Sequence, residues 1–240
     1  MTTFEKSNQS IKYAQAKQII GSLSRPSKMP WFSYSLPTSA CKLGSRLQNV
    51  SGSICSVCYA RGGLFRMDHV KRAAARRLQA ISDPQWMDAF VVVLNHEFRR
   101  RRRNGPENRF RWHDGGDIQS VEHLRNINQI ALSTPSIRHA LFTKEREFVA
   151  EFLKESAFAP NLFVRISNSM RGGTYRTRPE GLPFSTVGRD TDPTLFQCPA
   201  YRENDNKCGS CDMCWTGNVS INFPEHLAPG MRSTFLPKAV

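Results

Sequence analysis

Phe110–Ile166 reads FRWHDGGDIQSVEHLRNINQIALSTPSIRHALFTKEREFVAEFLKESAFAPNLFVRI, and the alternation of elements within it decides the fold class. Phe110 and Trp112 belong to a short strand that ends at His113-Asp114-Gly115-Gly116-Asp117. Ser120 is placed to cap a helix running to about Ser133, since a serine hydroxyl accepts a bond from a first-turn N–H. Val121, Leu124, Ile127 and Ile130 recur at helical spacing and form one apolar face. Ile137–Phe142 reads as a strand. Thr143 is placed to cap a helix over about 144–155, Pro160 breaks that helix, and Leu162–Ile166 is the next strand. Strand, helix, strand, helix, strand in this order favours parallel pairing with right-handed crossovers, so an α/β fold is expected.

Outward from this stretch the pattern is less regular. Residues 1–28 read as a polar arm with one short helix, about 10–20. Trp31, Phe32 and Tyr34 mark a first strand within 29–37. Residues 38–67 form a Gly- and Ser-rich loop, long enough that a functional role is expected of it. A helix follows over about 68–81. Ser82-Asp83-Pro84 is a helix-start signal for a second one to about 102, where Asn104-Gly105-Pro106 stops it. Downstream, 171–183 is a loop, Phe184–Val187 a further strand, and the chain from Cys198 is cysteine-rich and loop-like. The expected organisation is an arm (1–28), an α/β domain (29–195), and a cysteine-rich segment (196–240) packed on that domain.

The 240 residues carry a formal charge of +14, with 39% hydrophobic and 22% charged residues, as expected of a globular protein. No run approaches the ~18–20 apolar residues of a membrane-spanning helix. The N-terminus lacks a secretory layout, so a cytoplasmic location is expected. Charge is uneven: residues 1–103 hold 18 Lys and Arg against 5 Asp and Glu, whereas residues 104–240 hold 16 against 15. Lys71, Arg72, Arg76, Arg77 and the run Arg99–Arg103 make the basic half a candidate for nucleic acid phosphates. A solvated helix face with a basic C-terminus reads the same way.

Seven cysteines fall into two groups. Cys41, Cys55 and Cys58 lie in the early loop. Cys198, Cys208, Cys211 and Cys214 lie late, with two overlapping C-x-x-C pairs of the kind that wraps an iron–sulfur cluster. Zinc accepts the same ligands, with His69 the nearest histidine to complete the early trio. Disulfides are disfavoured by the expected compartment and the odd count. Buried structural thiols do not account for closely paired cysteines in loops. Three thiolates on a four-iron cluster leave one iron open to a small molecule, the arrangement that radical S-adenosylmethionine enzymes use.

Ser24-Arg25-Pro26-Ser27-Lys28-Met29-Pro30, Ser35-Leu36-Pro37, Cys41-Lys42-Leu43-Gly44-Ser45, Cys55-Ser56-Val57-Cys58-Tyr59-Ala60, Phe110–Asp117 and Cys198–Trp215 resemble the gene product eighty-eight family of phage and prophage proteins, named after a mycobacteriophage protein. The resemblance spans about 22–227 and implies no settled activity. A looser resemblance is to the radical S-adenosylmethionine fold, a partial or full (β/α) barrel with its cluster loop after the first strand. It implies a [4Fe-4S] cluster on Cys41, Cys55 and Cys58, and S-adenosylmethionine held by Gly115, Gly116 and Asp117. Ser167 and Asn168 stand where ribose contacts lie, with Asp190 a weaker counterpart. Cys198, Cys208, Cys211 and Cys214 would hold a second cluster. The family motif has three residues between its first two cysteines, and this chain has thirteen.

His113 and Asp114 are candidates for acid–base catalysis, although Asp114 and Asp117 read equally as helix N-terminal acids. Thr143, Lys144 and Arg165 lie near strand C-terminal ends, where α/β barrels build pockets. Tyr59 is expected to pack over the early site, and His96, His123 and His139 to be structural. The expected function is an iron–sulfur, radical S-adenosylmethionine-like enzyme acting on nucleic acid or a nucleotide. The alternative is a non-catalytic zinc protein that binds nucleic acid or a host factor.

Overall fold

The computed structural model describes residues 11–29, 31–101, 108–172, 181–188, 194–201, 207–217 and 219–225. Asp190, residues 1–10 of the arm and the end of the basic run, Arg102 and Arg103, lie outside them. Seven parallel strands form one sheet in the order β1-β2-β3-β4-β5-β7-β6. They are β1 (Phe32–Tyr34), β2 (Arg109–Trp112), β3 (Arg138–Thr143), β4 (Leu162–Ser167), β5 (Phe184–Val187), β6 (Phe196–Gln197) and β7 (Ile221–Phe223). The helices are α1 (Tyr13–Ile19), α2 (Lys42–Leu47), α3 (Asp68–Ala80), α4 (Trp86–Arg101), α5 (Val121–Ser133) and α6 (Arg146–Glu155). The α/β class is as expected.

The strands face two ways, because side chains alternate across a pleated sheet. Phe110, Trp112, Leu141, Leu162, Val164 and Ile166 point to the helical layer. There they meet Trp86, Phe90, Val93 and Phe98 of α4, and Leu124, Ile127 and Ile130 of α5. Ala140 and Phe142 point the other way, into a second core with Trp31, Trp215 and Ile221. A parallel sheet buries both faces. Here helices cover one face, and the late cysteine segment covers part of the other.

Several local expectations need correction. The early loop is not structureless: it holds α2 and four 3-10 turns, Thr38–Ala40, Cys55–Val57, Tyr59–Arg61 and Gly63–Arg66. Thr143 does not cap α6, which starts at Arg146 after Glu145. Thr143 instead ends β3 and its hydroxyl donates to Asp117 Oδ1 at 2.5 Å. Phe196–Gln197 and Ile221–Phe223 are strands within the region read as loop, too short for alternation to reveal. Part of the segment read as an arm is docked: Ala16 and Ile20 are fully buried, and the Tyr13 ring stacks on His96 at 3.6 Å. Ser120 caps α5 as expected, accepting from the His123 N–H at 3.0 Å.

Candidate functional site

The early trio lies in the segment after β1, folded back over the C-terminal ends of the parallel strands. Two ties hold it there. Glu145, just past β3, accepts from the backbone N–H groups of Lys42 (3.1 Å) and Leu43 (2.8 Å), the open N-terminus of α2 directly after Cys41. Ser53 pairs across a bridge with Met170, and the Ile54 N–H donates to the Ser169 carbonyl at 2.9 Å, beyond β4. Gly44 leaves the room that the sulfurs use: a Cβ there would stand 3.6 Å from Cys41 Sγ and 3.6 Å from Cys55 Sγ. Those two sulfurs are therefore separated by at most twice that distance.

The thiols of this pocket interact with one another and with its acids. Burial pushes the Cys41 thiol up, and the charges of Asp117, Cys58, Cys55 and Glu145 add to it. Burial raises Cys55 as well, while Lys144 opposes the shift. The Lys144 ammonium donates to the Asn168 carbonyl at 2.9 Å. Such a pocket keeps Cys41 and Cys55 protonated until a positively charged group offsets the repulsion.

The late group occupies the other face of the sheet. Cys198, Cys208 and Cys214 pack with Met29, Trp31, Phe142 and Trp215. Arg165, buried on β4, anchors this segment: its Nε donates to the Val219 carbonyl (2.8 Å), Nη1 to Cys214 (2.9 Å) and Nη2 to Met213 (2.9 Å). The Trp215 indole N–H donates to the Phe110 carbonyl at 2.9 Å. Arg109 reaches Asp212 at 3.4 Å, and the guanidinium of Arg111 lies 4.6 Å from the Phe142 ring centroid. Burial pushes the Cys214 thiol up to about 12, while Arg111 and Arg165 pull it down. Burial likewise raises Cys208 and Cys198, and Arg111 opposes both shifts.

All seven cysteines are free thiols. Among the described residues no three His, Cys, Asp or Glu side chains are drawn together in a way that would hold a metal ion. His69 lies exposed on α3.

The other predicted residues are engaged with the scaffold. Gly116 has φ +85°, and a Cβ on it would stand 2.5 Å from Leu36 Cβ. Asp117 accepts from the N–H groups of Ile118 (2.8 Å) and Lys144 (2.9 Å) as well as from Thr143, while burial lifts its carboxyl to about 6. The Gly115 carbonyl accepts from the Leu36 N–H at 2.7 Å, and Gly115 packs against Phe65. Ser167 is bonded to Ser185 across β4 and β5 at 3.2 Å, and the Asn168 N–H reaches the Ser185 carbonyl at 2.7 Å. Asp114 Oδ1 accepts from Ser35 at 2.7 Å, and its carbonyl accepts from the Tyr59 hydroxyl.

His113 does not join the early trio's pocket. It sits at φ +53°, its Nδ1–H donates to the Tyr34 carbonyl at 3.0 Å, and its ring packs 5.3 Å from that of His123. Burial lowers it to about 4, so it is neutral at physiological pH. His96, His123 and His139 are packing residues as expected, stacked among Tyr13, Trp86, Phe110 and Trp112.

Sequence reasoning missed Glu145, Arg109 and Arg111. The signal for the arginines was present: Arg109-Phe110-Arg111-Trp112 alternates charge with aromatics in a strand buried on both faces. Buried arginines call for partners, and here the late segment supplies them.

Among the described residues no helix is long and apolar enough to cross a membrane. No curated protein and no solved structure gives a significant match to this chain. The family profile described as Gene product 88 does match, over residues 3–217. With most of its length covered, the chain belongs to the Gene product 88 family of phage proteins.

Proposed function

We propose that this protein is an iron–sulfur, radical S-adenosylmethionine-like enzyme. The observation that supports the reading is the place of Cys41, Cys55 and Cys58, in the loop after the first strand and over the C-terminal end of a parallel sheet. Strands β1 to β5 run through the sheet in sequence order, the winding of a partial (β/α) barrel, and such folds place their chemistry at that end. A single zinc ion needs sulfurs about 2.3 Å from one centre. A four-iron cluster is a wider object whose ligands stand around a cube. Metal analysis distinguishes the two.

Cys41, Cys55 and Cys58 would hold a cluster with one open iron, which would supply the electron for reductive carbon–sulfur cleavage of S-adenosylmethionine. The chain's own residues prepare that site. Glu145 fixes the turn that carries Cys41. Lys144 tempers the negative charge around Cys55. Gly115, Gly116 and Asp117 shape the wall beside the trio, holding β1 and β3 in place. Asp114, with its carboxylate 2.7 Å from Ser35 and its carbonyl on Tyr59, is the candidate acid or base. Cys198, Cys208, Cys211 and Cys214 would hold the second cluster, with Arg111 and Arg165 compensating its charge.

Anaerobic purification followed by iron, sulfide and zinc analysis tests the reading. The expected protein is brown, contains iron and sulfide, and releases 5′-deoxyadenosine from S-adenosylmethionine and a reductant. Colourless protein with stoichiometric zinc would replace the proposal with a structural, non-catalytic role. Iron without cleavage would remove the enzymatic part.

A further inference from the structure

Among the described residues, six large apolar side chains are conspicuously exposed: Val50, Tyr59, Leu64, Met67, Leu132 and Met170. Five of the six lie in the early cysteine loop or, in the case of Met170, bridge to it. Exposed apolar groups concentrated at one site mark a binding surface rather than chance exposure.

The exposed charge along this stretch is mostly basic, with the Asp114 carboxylate near Tyr59. Arg61 and Arg66 stand exposed between the apolar residues, and Lys71, Arg72 and Arg76 stand exposed on α3 directly after them. Between positions 59 and 79 the sole acid is Asp68, and it pairs with Lys71 at 3.8 Å. Tyr59 is 44% exposed as a residue, with its hydroxyl end buried and held in place. Its hydroxyl is tied to the Asp114 carbonyl, and the Phe65 ring packs against it at 5.9 Å and 69°. Phe65 is in turn seated on Gly115, where a Cβ would come within 2.9 Å of its ring. A fixed, half-exposed aromatic ring beside arginines is how proteins hold unpaired bases: the ring stacks on the base and the guanidinium groups follow the phosphates.

We propose that the rim formed by Tyr59, Arg61, Leu64, Arg66 and Met67 binds single-stranded nucleic acid. A base stacks on Tyr59, Leu64 and Met67 flank it, and Arg61 and Arg66 take the phosphates, with α3 extending the basic track. A duplex keeps its bases stacked inside and cannot use the ring. Tyr59 directly follows Cys58, so a strand on this rim is delivered to the early cysteine site. Resting on the function proposed above, this names the substrate class of that site.

Fluorescence anisotropy with labelled 12-nucleotide DNA and RNA strands and matched duplexes, across a potassium chloride series, tests the proposal on the protein as purified with its metal. Single strands should bind at least tenfold more tightly than duplex. The Arg61→Glu/Arg66→Glu double variant should lose at least tenfold in affinity and flatten the log–log salt slope by about 1.4, roughly 0.7 per lost phosphate contact. Leu64→Ala should weaken binding with the slope unchanged. Metal and sulfide content, measured on the same samples, should not move in these variants. Absence of salt-dependent binding, equal affinity for duplex, or a double variant that binds like the wild type overturns the proposal. Strand-selective binding by a zinc-loaded protein would keep this surface while sinking the enzymatic reading. Iron-loaded protein that ignores nucleic acid would do the reverse.

Discussion

Replacing Arg165 with Met keeps the length and the aliphatic stem but removes the guanidinium that ties the late cysteine segment to the sheet. Three of its bonds are short: 2.8 Å to Val219, 2.9 Å to Cys214 and 2.9 Å to Met213, with a longer one of 3.2 Å to Gly217. Hydrogen bonds from a charged donor contribute roughly 1.5–3 kcal/mol each, but carbonyls released to water recover part of that. Each buried carbonyl left without a donor costs about 1–3 kcal/mol, so several of them, partly rehydrated, cost about 3–5 kcal/mol in total. For a chain of this size that corresponds to a fall in Tm of roughly 6–20 °C. The loss should be local as well as global, since the carbonyls belong to the backbone that carries Cys214. Thermal unfolding and thiol labelling on metal-free protein read both. The expected result is a lower Tm together with faster modification of Cys198, Cys208, Cys211 and Cys214 than of Cys41, Cys55 and Cys58. A variant that melts within 2 °C of the parent, roughly the shift from 1 kcal/mol, and labels uniformly would refute the anchoring role.

Gly116→Ala should cost about 3 kcal/mol or more, because its φ of +85° and a Cβ 2.5 Å from Leu36 leave no relaxed alternative; urea unfolding measures this, and a change below ~1 kcal/mol would contradict the close packing. Stability should fall as pH drops from about 6.5 towards 4. Burial holds His113 at about 4 and His139 at about 3, so the unfolded chain takes up protons that the native state refuses, at roughly 3 kcal/mol for each of these two, and the lowered His123 acts in the same direction. Asp117, raised to about 6, works in the opposite direction by gaining stability on protonation, but it is one group against three. A urea midpoint that stays flat over this range would show that the three imidazoles are not buried as described. Cys55→Ser should remove the early group's share of the iron and abolish S-adenosylmethionine cleavage, whereas Cys211→Ser should remove only the late group's share; loss of all iron in either variant would point to one shared site.

The helical layer was legible because it obeys simple periodicities. Val121, Leu124, Ile127 and Ile130 mark α5 at helical spacing, and Ser120 announces its start with a side chain that bonds locally. β2 to β5 were legible as apolar runs between turn signals. Thr143 was misread as a cap because its hydroxyl is claimed by Asp117, a residue 26 positions away that no local pattern reveals. β6 and β7 were missed because strands of two and three residues carry no period. Within the site, both thiol groups were readable from spacing. The role of Glu145 was not, since a glutamate in a helix start looks the same whether it caps its own helix or another.

The sequence by itself determined the element order, the two groups of cysteines and the apolar faces that force a layered α/β fold, because these depend on neighbours along the chain. Only the tertiary structure decided that one group lies over the strand ends and the other under the sheet. It also decided that His113 turns into the helical layer, and that Arg109 and Arg165 are buried and Arg111 half-buried beside the late segment. Those outcomes depend on which face of the sheet each side chain meets and on what packs there, and that is set by contacts between residues far apart in the chain.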